Sequence, residues 1–160
     1  MSEFDLKITG GTIANSFEIF EADVAVRDGR IAAVGSCLGD AVSEIDATGK
    51  YVLPGGIEAH CHIEQESSFG LMSSDDYYSG SVSAAFGGNT CIVPFAAQHR
   101  GQALKSVLEL YHGRAAPKSV IDYSFHLIIS DPTEDVLHRE LPKAIEEGIT
   151  SVSYTHLTLP

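Results

Sequence analysis

Two histidines separated by one residue, His60 and His62, are the side chains of this sequence best suited to chemistry. They stand at the end of a short apolar run, a pattern that predicts a β-strand. Successive side chains of a strand point to opposite faces, so both imidazoles project from one side and Cys61 projects from the other. Imidazoles at this spacing suit zinc and related divalent metals. A bare pair of this kind is more often two ordinary, partly buried histidines, so the surrounding elements must decide.

The composition is that of a globular, acidic protein. The 160 residues include 44% hydrophobic and 20% charged side chains and carry a net charge of −12. This charge argues against a surface for nucleic acid or anionic membrane, which needs basic patches. We expect no membrane span and no signal peptide, because no sufficiently long apolar run and no basic leader are visible. The three cysteines (37, 61 and 91) are odd in number and widely spaced, which favours reduced thiols and a cytoplasmic protein.

Residues 4 to 54 alternate short apolar runs with turns, which predicts a small all-β unit. Asp28-Gly29 is a hairpin signal between two of these runs. The predicted strands are 4–8, 12–15, 21–26, 31–34, 44–47 and 51–53.

After Pro54, predicted strands alternate with predicted helices, which favours βα units on a parallel sheet. Ser73 to Asp76 offers capping side chains before the first helix, and Pro142 interrupts the third. Glycines at 87, 88, 113 and 148 end the helices. The predicted strands are 56–62, 90–96 and 119–129, with another apolar segment from 149, and the predicted helices are 77–86, 102–112 and 134–147.

The last nine residues, 152–160, break this pattern because they contain no acidic or basic side chain and stop at a proline. They also equal the in-frame translation of a sequencing-library transposon adapter. We therefore predict that 152–160 is a non-native tail and that the native sequence ends near Ser151. The alternative is a genuine terminal β-strand, since Val, Tyr and Thr favour strands.

The motifs of the chain, taken in order, resemble the dihydropyrimidinase and hydantoinase group of cyclic amidohydrolases. The most specific is Leu53-Pro-Gly-Gly-Ile-Glu-Ala-His-Cys-His62. The others are Leu6-Lys-Ile-Thr-Gly-Gly-Thr12, Asp28-Gly-Arg-Ile31, Ser83-Ala-Ala-Phe-Gly-Gly-Asn-Thr90, Phe95-Ala-Ala-Gln98 and Glu146-Glu-Gly-Ile-Thr-Ser151.

The resemblance implies an α/β fold, the N-terminal part of a (β/α)8 TIM-like barrel preceded by part of a small β-sandwich. Residues 1–54 would be the sandwich portion, and residues 55–151 the first three βα units of the barrel. A complete barrel takes about 250 residues, so the chain would be an incomplete, N-terminal fragment of a longer enzyme.

In this family, His60 and His62 match two ligands of the more buried of two divalent metals, usually zinc. A carbamylated lysine bridges the metals; its place would be position 153, where this sequence has serine. No catalytic residue would be present, because the bridging lysine and the catalytic aspartate lie beyond the fragment. Glu58 replaces the family's usual aspartate, which makes it a candidate for supporting the ligands rather than binding metal.

The resemblance further implies a hydrolase that acts on C–N bonds in cyclic amides. A metal-bridging hydroxide would open a dihydropyrimidine or hydantoin ring to an N-carbamoyl amino acid. The partner would be a small cyclic ureide, not nucleic acid or a membrane, and the full-length protein would be a homo-oligomer, a tetramer by resemblance. The fragment alone would be inactive.

Other polar residues have simpler explanations. We expect a hydrogen-bonded structural role for His126 and a solvated loop for His99-Arg100. Asp75 and Asp76 are better explained as helix caps than as an acid/base pair. Ser67 to Met72 is either a surface loop or part of a substrate pocket. Gly87-Gly88 is a turn, because no phosphate-loop pattern surrounds it.

Two other functions remain open from the sequence. One is a different amidohydrolase, such as an allantoinase or a dihydroorotase. The other is a non-catalytic, dihydropyrimidinase-like assembly protein; such relatives lose metal ligands, and the presence of both His60 and His62 speaks against it.

Overall fold

The computed structural model describes residues 2–67 and 70–153. The chain forms two compact units, Met1–Pro54 and Gly55–Pro160. The first contains only strands, and the second alternates strands with helices. The mixed α/β class expected from the sequence is therefore confirmed.

Two sheets make up the first unit. The larger sheet comprises β1 (Phe4–Thr9), β4 (Asp23–Arg27), β5 (Arg30–Gly35) and β6 (Ala41–Asp46), and the smaller sheet comprises β2 (Thr12–Ala14), β3 (Ile19–Glu21) and β7 (Tyr51–Val52). The strand order of the larger sheet is β5-β4-β1-β6, in which β1 pairs antiparallel with β4 and parallel with β6. Asp28 and Gly29 both have positive φ, 52° and 69°, as a type I′ hairpin between β4 and β5 requires.

The predicted single strand 21–26 is wrong, because the chain changes sheets at Ala22. Glu21 ends β3 in the smaller sheet, and Asp23 begins β4 in the larger one. The carboxylate of Asp23 accepts a hydrogen bond from the backbone N–H of Gly10 at 3.0 Å, which ties this corner to the turn after β1. An alternating run read from sequence does not reveal such a change of partner strands.

The second unit is built on a parallel sheet of five strands. The strands are β8 (Gly56–Cys61), β9 (Asn89–Ala97), β10 (Asp122–Tyr123), β11 (His126–Ile128) and β12 (Ser151–Ser153). Strand β9 pairs on one side with β8 and on the other with β10 and β11, and β11 pairs with β12. The helices are α1 (Tyr77–Phe86), α2 (Leu104–Ala115), a π-helix (Val136–Glu140) and α3 (Leu141–Glu146).

Helix α2 covers the sheet through one apolar stripe. Leu104, Val107, Leu108 and Tyr111, which follow helical spacing in the sequence, are all buried. They join the core cluster that contains Ile92, Ala96 and Leu127 of the strands and Phe125 between β10 and β11. The core thus lies between the helices and one face of the parallel sheet.

Two boundaries differ from the prediction. Gly113 does not end α2, which runs on to Ala115, because Ala115 is fully buried in the core. The predicted strand 119–129 is broken into β10 and β11, which pair with β9 in one continuous register. That register sets Phe125 opposite Pro94, and a proline lacks the N–H needed to continue the ladder there.

The predicted helix 134–147 consists of the π-helix followed by α3, with Pro142 in the first turn of α3. Gly148, with φ at 101°, ends this helical segment as expected. Helix α1 matches its predicted bounds. None of the helices in the described part of the chain is long and apolar enough to cross a membrane.

The predicted tail falls mostly outside the described residues. Val152 and Ser153 extend β12, where they pair with Leu127 and Ile128 of β11, and residues 154–160 lie outside the described ranges. A short strand forms from either a native or an adapter-encoded Val-Ser sequence, so the origin of 152–160 stays a prediction.

Candidate metal centre

A β-bulge shapes the end of strand β8, where the two histidines lie. Glu58 lies opposite Ile92 of β9, and Cys61 lies opposite Pro94, so three steps along β8 match two along β9. The extra residue bends the strand locally and re-aims its side chains. His62 is the first residue after the strand.

The structure brings the two imidazoles together. The ring centroids of His60 and His62 are 5.5 Å apart, and the ring planes are nearly perpendicular. Both rings pack on Phe95 of β9, at 5.1 Å for His60 and 5.0 Å for His62. Cys61 instead packs against the hydrophobic core. Burial, followed by the charge of Glu58, raises the pKa of the Cys61 thiol to about 11.

The spacing of the two rings fits a shared zinc ion. With nitrogen–zinc bonds of about 2.0–2.1 Å and a tetrahedral angle, two imidazoles on one zinc have centroids about 5 Å apart. The observed 5.5 Å agrees with this separation. Within residues 2–67 and 70–153, no group of three or more His, Cys, Asp or Glu side chains converges on one point that could hold a metal ion.

Hydrogen bonds fix the backbone and one of the two rings. Glu58 Oε1 accepts a hydrogen bond from the backbone N–H of His60 at 2.9 Å, so Glu58 supports the strand end rather than the imidazole. His62 Nδ1 lies 2.7 Å from Oε1 of Gln65. His126 Nε2 donates to the carbonyl of Ala59 at 2.8 Å and thereby holds the bulge. The structural role expected for His126 is confirmed.

Glu64 anchors the segment after His62 to α2 and to the residues that follow α2. Its carboxylate accepts from Lys118 Nζ with both oxygens at 2.9 Å, and Arg114 Nη1 donates to its backbone carbonyl at 2.9 Å. The hydrogen bonds and the negative charge of Glu64 raise the pKa of Lys118. Sequence reasoning missed this anchor, because Glu64 reaches Lys118 across 54 residues. Glu64 also has a positive φ of 45°, and nothing in the sequence indicates this conformation for a residue other than glycine.

Asp75 and Asp76 serve the helix and not the histidines. Asp76 Oδ1 accepts from the backbone N–H of Ser79 at 2.9 Å as the N-cap of α1. Asp75 Oδ1 accepts from the hydroxyl of the same serine. The backbone hydrogen bond from Ser79, followed by the ammonium of Lys118, lowers the pKa of Asp76. The expected capping role is confirmed for Asp76, whereas Asp75 binds a side chain in the first turn of the helix.

His99 lies in a turn, where its backbone N–H donates to Oε1 of Gln102, as expected for a loop residue. Ser153, the position at which the resemblance places the bridging lysine, ends β12 and pairs with Ile128 of β11.

An open cavity of about 420 Å³ borders His62 on the side of the following loop. Leu71 and Met72 form an apolar wall, and Gln65, Ser67 and Ser73 supply polar atoms. Part of the predicted loop 67–72 therefore borders the same cavity as His62, while Ser68 and Phe69 lie outside the described residues. The cleft has room for a small ring next to the candidate metal ligands.

Comparison with known proteins supports the resemblance drawn from the sequence. The chain is 49% identical over 146 residues to D-hydantoinase of Geobacillus stearothermophilus, covering 90% of this chain and 31% of that protein. A solved D-hydantoinase structure superposes with a TM-score of 0.88 at 43% identity, over 93% of this chain and 32% of the other. Dihydropyrimidinase from Brevibacillus agri gives 0.86 at 40% identity, over 95% and 32%.

The resemblance to the dihydropyrimidinase and hydantoinase group is therefore confirmed at the level of both sequence and structure. A scan against models of known protein families gives no match. The chain spans about a third of the length of the relatives that it matches.

Proposed function

We propose that this chain is part of a metal-dependent amidohydrolase of the hydantoinase group, which opens dihydropyrimidine or hydantoin rings to N-carbamoyl amino acids. The observation that carries this proposal is the pair His60 and His62, held 5.5 Å apart on Phe95 at the carboxyl end of a parallel strand. Relatives named D-hydantoinase with up to 49% identity support the choice of substrate class.

The architecture proposed for the whole protein is a (β/α)8 barrel that carries a small β-sandwich. Residues 1–54 would contribute to the sandwich, and residues 55–151 would form the first barrel units. The placement of His60 and His62 at the end of β8 agrees with the general location of barrel active sites at the carboxyl ends of strands.

In the proposed site, His60 and His62 hold one of two divalent ions, most simply zinc. Bound metal would supply Lewis-acid polarisation of the substrate carbonyl and a water of lowered pKa. Phe95 stacks on one face of the His62 imidazole and makes an edge-type contact with the His60 imidazole, so it restricts the rotation of both rings. Cys61 packs against the hydrophobic core, whereas the two imidazoles lie together on Phe95, so the thiol is not part of the proposed ligand pair.

The described part of the pocket favours a neutral substrate. Among the described residues, those that line the cavity beside His62 include no lysine or arginine. A carboxylate-bearing ring such as dihydroorotate would need a basic partner, and neutral cyclic ureides do not. Retention of a zinc-compatible histidine pair also speaks against a non-catalytic assembly protein. Homo-oligomer formation, as a tetramer, belongs to this proposal for the full-length protein.

The proposal is tested with the whole protein produced from its gene, loaded with zinc and assayed for hydrolysis of hydantoin and dihydrouracil. His60→Asn and His62→Asn each remove one ligand, and we expect kcat/KM to fall by at least about 100-fold. His138→Asn is the matched control, because His138 is an exposed residue that pairs with Glu134. Unchanged turnover in both ligand variants would contradict the proposal. The 160-residue chain alone should show no turnover, because its described residues supply two ligands.

A further inference from the structure

The side chain of Gln65 reaches back to the ring of His62, with its Oε1 2.7 Å from Nδ1. We propose that Gln65 is a positioning residue: it selects the Nδ1–H tautomer of His62 and so presents the Nε2 lone pair to the metal. This inference rests on the proposed metal site and adds to it a residue that does not itself bind metal.

The tautomer follows from the chemistry of the two partners. A carboxamide oxygen only accepts hydrogen bonds, so the Nδ1 of His62 must carry the proton. A neutral imidazole has one protonated nitrogen, so Nε2 keeps its lone pair. In water the Nε2–H tautomer predominates, and the hydrogen bond to Gln65 reverses this preference. An imidazole ligand is usually oriented in this way by a group that accepts its second N–H.

The backbone N–H and the backbone carbonyl of Gln65 are both hydrogen-bonded to Ser73. The N–H of Gln65 donates to Oγ of Ser73 at 3.0 Å, and its carbonyl accepts from the N–H of Ser73 at 3.0 Å. These two bonds fix the backbone from which the carboxamide extends. The starting point of the side chain is therefore fixed close to the His62 ring.

Glu64 turns the chain so that Gln65 can face His62. Its left-handed backbone, with φ at 45°, is sparsely populated by non-glycine residues and must be held by its surroundings. Lys118 binds its carboxylate, Arg114 binds its carbonyl, and its own N–H donates to the carbonyl of Asp75 at 2.9 Å. Helix α2 and the segment that follows it thereby support the orientation of His62.

Phe95 also restrains the imidazole ring of His62. The imidazole stacks on Phe95 with an interplanar angle of 14° and a centroid separation of 5.0 Å. Stacking fixes the plane of the ring but does not choose the protonated nitrogen. The hydrogen bond to Gln65 makes that choice.

The test is nitrogen NMR of the histidine rings in the metal-free chain at a pH of about 8.5, well above the ordinary histidine pKa. His62→Asn identifies the His62 signals by their loss. We expect His62 to be the Nδ1–H tautomer in the wild-type chain and to become mainly Nε2–H in Gln65→Leu. Gln65→Glu keeps an acceptor oxygen and should keep the Nδ1–H form. Gln102→Leu, at an exposed loop glutamine elsewhere, should leave His62 unchanged.

Zinc affinity is the second measurement. Gln65→Leu should weaken zinc binding by about 10- to 100-fold, while Gln65→Glu should stay close to wild type. Circular dichroism on the same samples checks that each variant is folded, and Gln65→Glu provides the comparison if Gln65→Leu unfolds.

The two proposals fail in different ways. An Nε2–H ring in the wild-type chain, or an Nδ1–H ring that persists in Gln65→Leu, overturns the role of Gln65 even if zinc binds. A wild-type chain with the Nδ1–H ring that binds no zinc at His60 and His62 overturns the metal site itself.

Discussion

Gly80 lies where α1 crosses Ile63, the residue directly after His62, and its substitution tests how tightly the helix holds the site. A Cβ at Gly80 would lie 2.8, 3.0 and 3.2 Å from three carbons of the Ile63 side chain. Carbon atoms in contact are about 3.5–4.0 Å apart, so Ile63 must move in Gly80→Ala. Ile63 is 6% exposed and belongs to the core cluster, which leaves it little room to do so.

The expected magnitude comes from two opposing effects. Replacement of glycine by alanine inside a helix stabilises by about 1 kcal/mol. Overpacking of a core costs about 1–3 kcal/mol. Gly113, in α2, provides the matched control, because a Cβ there meets no atom within 4 Å and its φ is not positive. The free energy of unfolding should therefore be lower in Gly80→Ala than in Gly113→Ala by about 1–3 kcal/mol.

Urea denaturation followed by circular dichroism measures this difference, and zinc titration shows whether His62 moves with Ile63. Gly113→Ala should raise the melting temperature by about 2–4 °C, and Gly80→Ala should not. Equal stabilisation by both substitutions would refute the close packing of α1 on Ile63.

Three further predictions concern buried or charged groups. Tyr77 is fully buried and its hydroxyl has no hydrogen-bond partner among the described residues, so Tyr77→Phe should stabilise by about 1–3 kcal/mol in thermal or urea unfolding. Burial raises the pKa of Cys61 to about 11, so about one thiol in a thousand is ionised at pH 8. Disulfide reagents should therefore modify Cys61 at least about 100-fold more slowly than the exposed Cys37, as mass spectrometry of timed samples can show. The pKa of Asp76 is lower in the folded than in the unfolded chain, so its charge stabilises the fold at neutral pH, and this contribution is lost as the pH falls below the ordinary value of about 3.9. Asp76→Asn keeps a capping oxygen, so its melting temperature should lie below that of the wild type at pH 7, and the difference should shrink as the pH falls below about 3.9.

The sequence predicts the parts of this fold that depend on local signals. Alternation and the Asp28-Gly29 turn indicate the β4–β5 hairpin, and the spacing of Leu104, Val107, Leu108 and Tyr111 indicates the buried face of α2. The capping oxygens before Tyr77 likewise mark the start of α1.

Features that depend on a distant partner are not visible in the sequence. The break between β10 and β11 arises because Pro94 of another strand stands opposite Phe125. The bulge that re-aims the histidines is a matter of register between β8 and β9.

The candidate site follows the same division. The spacing of His60 and His62 in the sequence indicates a pair on one face of a strand. The roles of Glu64 and Gln65 cannot be read from the sequence, because they depend on the positive φ of Glu64 and on its contacts with Arg114 of α2 and with Lys118. Such contacts join residues about fifty positions apart in the chain.

The central claim is that His60 and His62 share one metal ion, and a zinc titration of the metal-free chain followed by NMR of the histidine rings tests it most directly. The account predicts that both rings shift along a single binding curve and that His60→Asn abolishes the response of His62. Rings that respond with different affinities, or a His62 response that survives in His60→Asn, would contradict it.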